Sequence, residues 1–354
     1  MSLLKKLMKN TTSEYSATLE NSVLFQDQDT IPTPIPMLNV ALSGDMDGGL
    51  TPGSTVLAGA SKNFKSGFAL LMAQSYLKKY DDAIMLFYNS EFGTPKSYFE
   101  SFGIDQKRVF MTPVETIEAL RHDCSVQLKN IERGEKVIIV IDSVGNLASE
   151  KEVRDAEAGN DKADMTRAKV MKSFFRIVTP KVCLRSIPMI AINHVYKEMS
   201  LFPKDIVSGG TGPYYSADTI FIIGRRQEAV GKGKDKVHKG FNFDIKVEKS
   251  RFVKEHSKIP ISFRYEGGIH KWSGMFDVAM DLGYITQSGA KYKTSDGNDF
   301  TRKSAEFDNE FWTKILEDGK LKQAIHDKYT LGGHMIETED DDANRKNDSG
   351  KSAV

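Results

Sequence analysis

One stretch limits what this chain can fold into more than any other: Ser54-Thr-Val-Leu-Ala-Gly-Ala-Ser-Lys-Asn-Phe-Lys-Ser-Gly67. Thr55 to Ala58 is short, apolar and β-branched, which suits a buried strand, whereas Ala69, Met72, Ala73, Tyr76 and Leu77 recur at helical spacing. The residues between them form a tight loop that opens a helix. Gly59 and the pair Lys65-Ser66 stand at the spacing G-x-x-x-x-G-K-[ST], in which backbone N–H groups cradle phosphates, the lysine reaches the β- and γ-phosphates and the hydroxyl holds Mg²⁺. A helix N-terminus adds partial positive charge at the same place. Gly59, Ala60, Ser61, Lys62, Asn63, Phe64, Lys65, Ser66 and Gly67 are therefore the candidate nucleotide-binding segment, with Phe64 where the motif has its second glycine. An accidental Gly-rich turn would look the same up to this point.

A second motif decides against the accident. Lys136-Val-Ile-Ile-Val-Ile-Asp142-Ser143 is an apolar strand ending in an acid, and the Asp142 carboxylate would share Mg²⁺ with Ser66. Ala83 to Tyr88 is another apolar strand and runs into Asn89-Ser-Glu91. Open α/β sheets bind ligands just past the C-terminal ends of parallel strands, so Glu91 is a candidate general base for water; a solvated loop glutamate is the alternative. A further strand, Pro188 to Ile192, ends in Asn193-His194. Strands near 55, 84, 137, 188 and 220 alternate with helical stretches, which predicts a mainly parallel, twisted sheet with helices on both faces and an antiparallel edge beyond. Thr219 to Ile223 and Phe241 to Val247 flank the lysine-rich turn 232–239, read as a solvated hairpin tip.

The 354 residues allow one large core plus a smaller domain, and 40 % hydrophobic content is ordinary for a globular protein. No window approaches the ~18 apolar residues of a membrane span, and the expected location is cytoplasmic. Cys124 and Cys183 are isolated, which argues against a disulfide framework or a zinc site. With 49 basic and 48 acidic residues, any nucleic-acid binding must be local.

Residues 1–36 read as an N-terminal arm and linker: Leu3, Leu4, Leu7 and Met8 form one stripe, Leu19, Val23, Leu24 and Phe25 a second group, and Ile31-Pro-Thr-Pro-Ile-Pro36 a stiff extended spacer. The arm could reach a neighbouring subunit or fold back on its own core. Residues 37–273 form the expected core. Within it, Ser149 to Asp164 and Val195 to Gly212 read as long mobile loops after strand ends, of the kind that are usually functional. Residues 274–335 carry short helical patterns, Met275 to Leu282, Glu306 to Asp318 and Leu321 to Tyr329, in a small C-terminal domain; 336–354 is an acidic and polar tail expected to be disordered.

The runs Gly-Ala-Ser-Lys-Asn-Phe-Lys-Ser at 59–66, Phe-Tyr-Asn-Ser-Glu-Phe-Gly at 87–93, Ile-Glu-Arg-Gly-Glu-Lys at 131–136, Ile-Asp-Ser-Val-Gly-Asn-Leu-Ala-Ser at 141–149, Asp-Met-Thr-Arg-Ala-Lys at 164–169 and Ala-Ile-Asn-His at 191–194 together resemble the RecA-type recombinases. The resemblance covers nearly the whole chain and is strongest to the branch carried by large tailed phages, which also departs from glycine at position 64. It implies an α/β RecA-type P-loop ATPase core with an N-terminal helical arm and a small C-terminal α/β domain, using ATP and Mg²⁺. It also implies filament formation on single-stranded DNA, pairing with homologous duplex DNA, and contact with a single-strand-binding protein and a mediator. By position, the resemblance gives Glu91 the role of catalytic base, Tyr98 that of the aromatic stacked on adenine, and His194 that of the γ-phosphate sensor. Lys249 and Arg251 become the basic pair supplied to a neighbour's γ-phosphate. The two long loops become the DNA-binding loops, with Lys197, Phe202, Lys204, Ser208, Gly209, Gly210 and Thr211 as contacts in the second; glycines there let backbone N–H groups approach phosphates. A hexameric helicase or motor on the same fold, and a non-catalytic ATP-binding adaptor of a filament, are the alternatives.

Overall fold

The structure is a computed structural model that describes residues 3–24, 29–160, 166–201, 203–230, 237–294, 297 and 299–332. Its elements in chain order are α1 (Leu3–Asn10), α2 (Pro36–Ser43), β1 (Gly53–Ala58), α3 (Lys65–Lys79), β2 (Ile84–Asn89), α4 (Lys96–Ser101), β3 (Val109–Pro113), α5 (Ile117–Asn130), β4 (Val137–Asp142), α6 (Glu150–Glu157), α7 (Thr166–Arg185), β5 (Pro188–Asn193), β6 (Val195–Lys197), β7 (Asp205–Val207), α8 (Gly212–Ser216), β8 (Thr219–Val230), β9 (Val237–Lys249), β10 (Lys258–Arg264), β11 (Gly268–Ile269), α9 (Met275–Asp281), β12 (Ile285–Ser288), β13 (Lys291–Thr294), β14 (Asp299–Phe300), α10 (Arg302–Ala305), α11 (Asn309–Leu316) and α12 (Lys320–Tyr329).

Nine strands form one sheet in the order β11-β10-β9-β8-β1-β5-β4-β2-β3. From β8 to β3 every pairing is parallel, and β9 to β11 continue the sheet antiparallel. The parallel strands β1, β4 and β5 are buried at every position, which explains their unbroken apolar runs: both faces of the sheet are covered. Along β4, Ile138 and Val140 face the core that holds α2 and α3, while Ile139 and Ile141 face the one that holds α5 and α7. This is the predicted α/β class. Sequence reasoning named neither β10 nor β11 on the antiparallel side, and on the parallel side it missed β3, an edge strand whose Phe110 and Met111 are exposed.

Several expectations are corrected. Of the predicted arm helix over 1–30, only Leu3–Asn10 is α-helical among the described residues, followed by one 3₁₀ turn at Leu19–Asn21. The α1 stripe Leu3, Leu4, Leu7 and Met8 is exposed, and Phe25 lies outside the described residues. The proline segment is extended but is no free spacer. Ile31, Thr33 and Ile35 are buried at alternate positions, Pro32 and Pro34 point outward, and Ile31 bridges to Leu50. Prolines lack donors, so an extended chain that needs no ladder on its outer side tolerates them at every second position.

Ser149 to Asp164 is also no simple loop. Ser149 accepts from the Glu152 backbone N–H while the Glu152 carboxylate accepts from the Ser149 N–H, a reciprocal cap that starts α6; 161–164 lie outside the described residues. The stretch after Val195 is a two-stranded hairpin, β6 against β7, and not a featureless loop. Residues 232–236 of the lysine-rich turn and the tail 336–354 lie outside the described residues. The C-terminal segment carries the three-stranded sheet β12-β13-β14, and its Trp312, Leu321, Ile325 and Tyr329 are buried in the same hydrophobic cluster as α2 and β10. It packs onto the core through a shared interior.

Candidate active site

The ends of four adjacent strands carry the predicted groups. β1 leads into Gly59, β5 into His194, β4 ends at Asp142 and β2 leads into Glu91. Register aligns them: Ala58 lies opposite Asn193, and Asn89 opposite Asp142. Parallel strands that start together end together, so the sheet places these side chains in a row across its carboxyl edge.

At the loop itself, Lys65 is buried and its Nζ donates to the carbonyls of Gly59 at 3.0 Å and Ala60 at 2.8 Å. Burial pulls its pKa down, and Glu91 and Asp142 oppose that pull. The ammonium is thus folded onto its own loop, where anionic oxygens would replace the carbonyls. Asn63 Nδ2 donates to the Ile223 carbonyl at 2.6 Å and Arg225 Nη1 to the Lys62 carbonyl at 2.9 Å, tying the loop to β8. A Cβ at Gly59 would meet the Ile223 oxygen at 2.8 Å, so the first motif glycine is required by close approach. Phe64 adopts φ +58°, the left-handed conformation that glycine takes freely. Its ring packs 5.0 Å from Phe263 and 5.8 Å from Phe243, and it fits only because Gly67 has no Cβ, which would lie 2.3 Å from it.

Asp142 is 3 % exposed, and its Oδ1 is buried without a hydrogen-bond partner. Burial pushes its pKa up to about 6; Ser66 hydrogen-bonds it and Lys65 attracts it, while Glu91 adds repulsion. An orphaned buried carboxylate oxygen beside a hydroxyl is what a Mg²⁺ site lacking its ion would leave, so the residues present fit that cation. Ser66 and Asp142 would hold it, with phosphate oxygens and waters completing the shell.

Glu91 accepts from Ser143 Oγ at 3.0 Å and stands 3.4 Å from His194 Nε2. Burial, and then Lys65, lower the His194 pKa, which keeps the ring neutral at neutral pH. Sequence reasoning missed the residues that hold this pair. Ser143 positions Glu91. Asn193 donates from Nδ2 to the Ser208 carbonyl at 2.8 Å and accepts from the His194 N–H at 2.8 Å, while the Ser208 N–H donates to the His194 carbonyl at 2.9 Å. Arg167 donates to the carbonyls of Gly145 and Leu147 and reaches Ser208 Oγ at 3.4 Å. The only hint of these in the sequence was their presence in the matching runs.

The second loop projects from there. Lys197 is paired with Asp205 at 2.8 Å, Lys204 is exposed, and Phe202 lies outside the described residues. Gly209 (φ +94°) packs against Met171 on α7, Gly210 (φ +70°) and Thr211 are exposed, and Ser208 anchors the hairpin base. Met199 and Leu201, overlooked in the sequence, are almost wholly exposed at 104 % and 95 %.

Two predicted groups are not brought to this site. Lys249 pairs with Ile220, near the start of β8, and thus sits at the opposite edge of the sheet from the phosphate loop. Its Nζ donates to the Tyr214 and Ala217 carbonyls, and Arg251 Nη2 lies 2.6 Å from Asp218. A six-residue strand spans about 20 Å, beyond side-chain reach. Tyr98 lies after β2, half-buried against Phe102.

The fold and the row of groups define a P-loop α/β core of the RecA type. No protein-family model matches the chain. It is 44 % identical over 355 residues to the "Recombination and repair protein" of Enterobacteria phage T4, covering 96 % of this chain and 90 % of that one. It is 24 % identical over 301 residues to "Protein RecA" of Clostridioides difficile, covering 82 % and 83 %. It is 23 % identical over 317 residues to "Protein RecA" of Mycolicibacterium vanbaalenii, covering 88 % and 86 %. The chain belongs to the RecA-type recombinases, on the side of the family represented by the T4 phage protein.

Proposed function

We propose that this protein is an ATP-dependent strand-exchange recombinase that forms head-to-tail filaments on single-stranded DNA and pairs that strand with homologous duplex. The observation that carries this reading is the division of the site: Lys65, Ser66, Asp142, Glu91 and His194 gather at one edge of the sheet, and Lys249 and Arg251 stand at the other. A site assembled from opposite edges is complete only when one subunit's lower edge meets the next subunit's upper edge. Such a heterologous contact grows a helical filament where its rotation does not close on itself, and a ring, as in the hexameric motor, where it does.

In this reading the loop amides and Lys65 hold the triphosphate, and Ser66 and Asp142 hold Mg²⁺. The bound nucleotide supplies the phosphoanhydride and the ion its Lewis acidity. Glu91, held by Ser143, orients a water and takes its proton. Neutral His194 hydrogen-bonds the terminal phosphate, and its main chain carries the change to Ser208 and the hairpin. Lys249 and Arg251 of one subunit stabilise charge in the next. Exposed Met199 and Leu201 suit base contact, and Lys204 and the glycines suit phosphates.

The test is strand pairing: protein, ATP and Mg²⁺ with a single-stranded oligonucleotide and a labelled duplex, homologous in one tube and unrelated in the other. Homology-dependent joint molecules that disappear with Lys65→Ala are expected. Unwinding of a duplex with no homologous strand present would favour the hexameric motor instead, and nucleotide binding without turnover the adaptor.

A further inference from the structure

The anion beside the basic pair at the amino edge belongs to none of the motifs in the sequence. Asp218 lies between α8 and β8 and is 7 % exposed. Its Oδ2 accepts from the Ser54 N–H at 2.8 Å, and its own N–H donates to the Ser54 carbonyl at 2.9 Å. Side chain and main chain together fasten it to the start of β1. Gly53 (φ +108°) makes room for the carboxylate, since a Cβ there would collide with Oδ2. Cys183 Sγ stands 3.8 Å from the same oxygen, and burial pushes that thiol up to about 11, so it stays protonated and is a weak donor.

The other oxygen faces the basic pair. Oδ1 meets Arg251 Nη2 at 2.6 Å without the alignment of a hydrogen bond, so charge holds the two together. The anion is the fixed member: the Asp218 side chain is 10 % exposed and that of Arg251 68 %. A guanidinium carries five N–H donors, so one engaged nitrogen leaves enough of the fork to meet a phosphate. Burial pulls the Lys249 pKa down; Asp218 opposes that pull and Arg251 adds to it. Two neighbouring cations repel, and Asp218 is the anion common to both. The cavity of about 760 Å³ onto which Arg251 opens is also lined by Asp45 and Asp47, carboxylates toward which an untethered guanidinium would swing.

We propose that Asp218 is a positioning residue for the reaction between subunits: its buried carboxylate, anchored on the Ser54 amide, holds Arg251 at the amino edge in place for the neighbouring subunit's terminal phosphate. This rests on the reading of Lys249 and Arg251 as groups supplied to a neighbour. A side chain held before the contact forms loses less freedom when it meets the phosphate. The effect falls on turnover and not on nucleotide affinity, because each subunit's own phosphate loop lies at the other edge of the sheet.

Asp218→Asn tests this, because the amide oxygen can still accept from the Ser54 N–H and only the charge is removed. The kcat and KM of DNA-stimulated ATP hydrolysis are measured for the wild type, Asp218→Asn, Arg251→Ala and the double variant, with urea denaturation to check folding. The expected result is kcat lowered about ten- to a hundredfold in Asp218→Asn, KM within about twofold of wild type, and a double variant no slower than Arg251→Ala. A purely structural role for Asp218 would instead multiply the two losses. Asp218→Ser, whose hydroxyl also accepts from an N–H, is expected to behave alike and takes the place of the amide variant if that one folds poorly. Losses that multiply, or turnover in Asp218→Asn that is unchanged or faster while Arg251→Ala is slow, would overturn the positioning role alone. Full turnover in Arg251→Ala would remove the reading between subunits as well.

Discussion

Asp142→Asn should make the nucleotide-free protein more stable, although it removes a group the proposed reaction needs. The carboxyl is held at about 6 in the fold against 3.8 in a model peptide, chiefly by burial. The folded state therefore disfavours the anion by about 3 kcal/mol at pH 7.5. The sign follows from proton binding. Between 3.8 and about 6 the native protein binds the proton that the unfolded chain has released, so stability from this group is complete below 3.8 and lost as pH rises through about 6. A neutral amide of the same shape avoids the loss. Urea denaturation without nucleotide should show the variant ahead by about 3 kcal/mol at pH 7.5 and by only about 1 kcal/mol at pH 4.5. For a chain of this length the larger figure is about 4 °C in melting temperature. Added Mg²⁺ and ATP should then stabilise the wild type more than the variant, because the amide lacks the charge with which the carboxylate would bind the ion beside Ser66. A variant less stable at both pH values, or a gain that does not change with pH, would refute the argument that a desolvated carboxylate with one oxygen lacking a hydrogen bond sits at this strand end.

Three further outcomes follow from the same geometry. Equimolar mixing of Lys65→Ala with Arg251→Ala, each inactive alone, should restore about a quarter of wild-type ATP turnover, since a quarter of random interfaces join an intact loop to an intact Arg251; no recovery in a DNA-stimulated ATPase assay would rule out action between subunits. Gly67→Ala should cost about 1–3 kcal/mol in denaturation because its Cβ meets the Phe64 ring, and the cost should largely vanish in a Phe64→Gly background; an additive double mutant would contradict that contact. Burial and Lys65 keep the His194 ring neutral at neutral pH, so turnover should lose an acid limb, titrating below the ordinary histidine range, when His194 is replaced by Gln; an unchanged pH–rate profile would show that its protonation is irrelevant.

What the sequence made legible follows from burial. β1, β4 and β5 are covered on both faces, so their residues form unbroken apolar runs that end at the chemistry. β3 escaped because an edge strand has one open side and its Val109-Phe-Met-Thr-Pro mixes exposed and half-buried residues. α6 was hidden inside a charged stretch, although Ser149 and Glu152 carry the spacing of a reciprocal cap and could have been found by it. The proline run Ile31 to Pro36 misled because prolines mark an extended chain equally well in solvent and against a core; the alternation of Ile31, Thr33 and Ile35 was the overlooked signal. Residues such as Asn193 and Arg167 could not be ranked from sequence at all, because their importance lies in carbonyls more than a dozen positions away.

On the proposed function the two ends of the sheet have different jobs, and the link between them is the reason one chain would not be enough. At the carboxyl edge, the His194 and Ser208 main chains are joined by two elements, the Ser208 N–H bond to the His194 carbonyl and the Asn193 amide between them. A displacement of the His194 main chain would therefore be passed to the base of the β6–β7 hairpin, whose exposed tip carries Met199 and Leu201. At the amino edge, Lys249 and Arg251 are engaged with Tyr214, Ala217 and Asp218, which join α8 to β8 and thus follow the same hairpin in sequence. On the proposed function, nucleotide held by one subunit would be sensed twice: by its own hairpin through His194, and by its neighbour's through the basic pair. DNA affinity and turnover would then be properties of an interface, so breaking the filament contact should abolish DNA-stimulated hydrolysis while leaving nucleotide binding to the isolated phosphate loop.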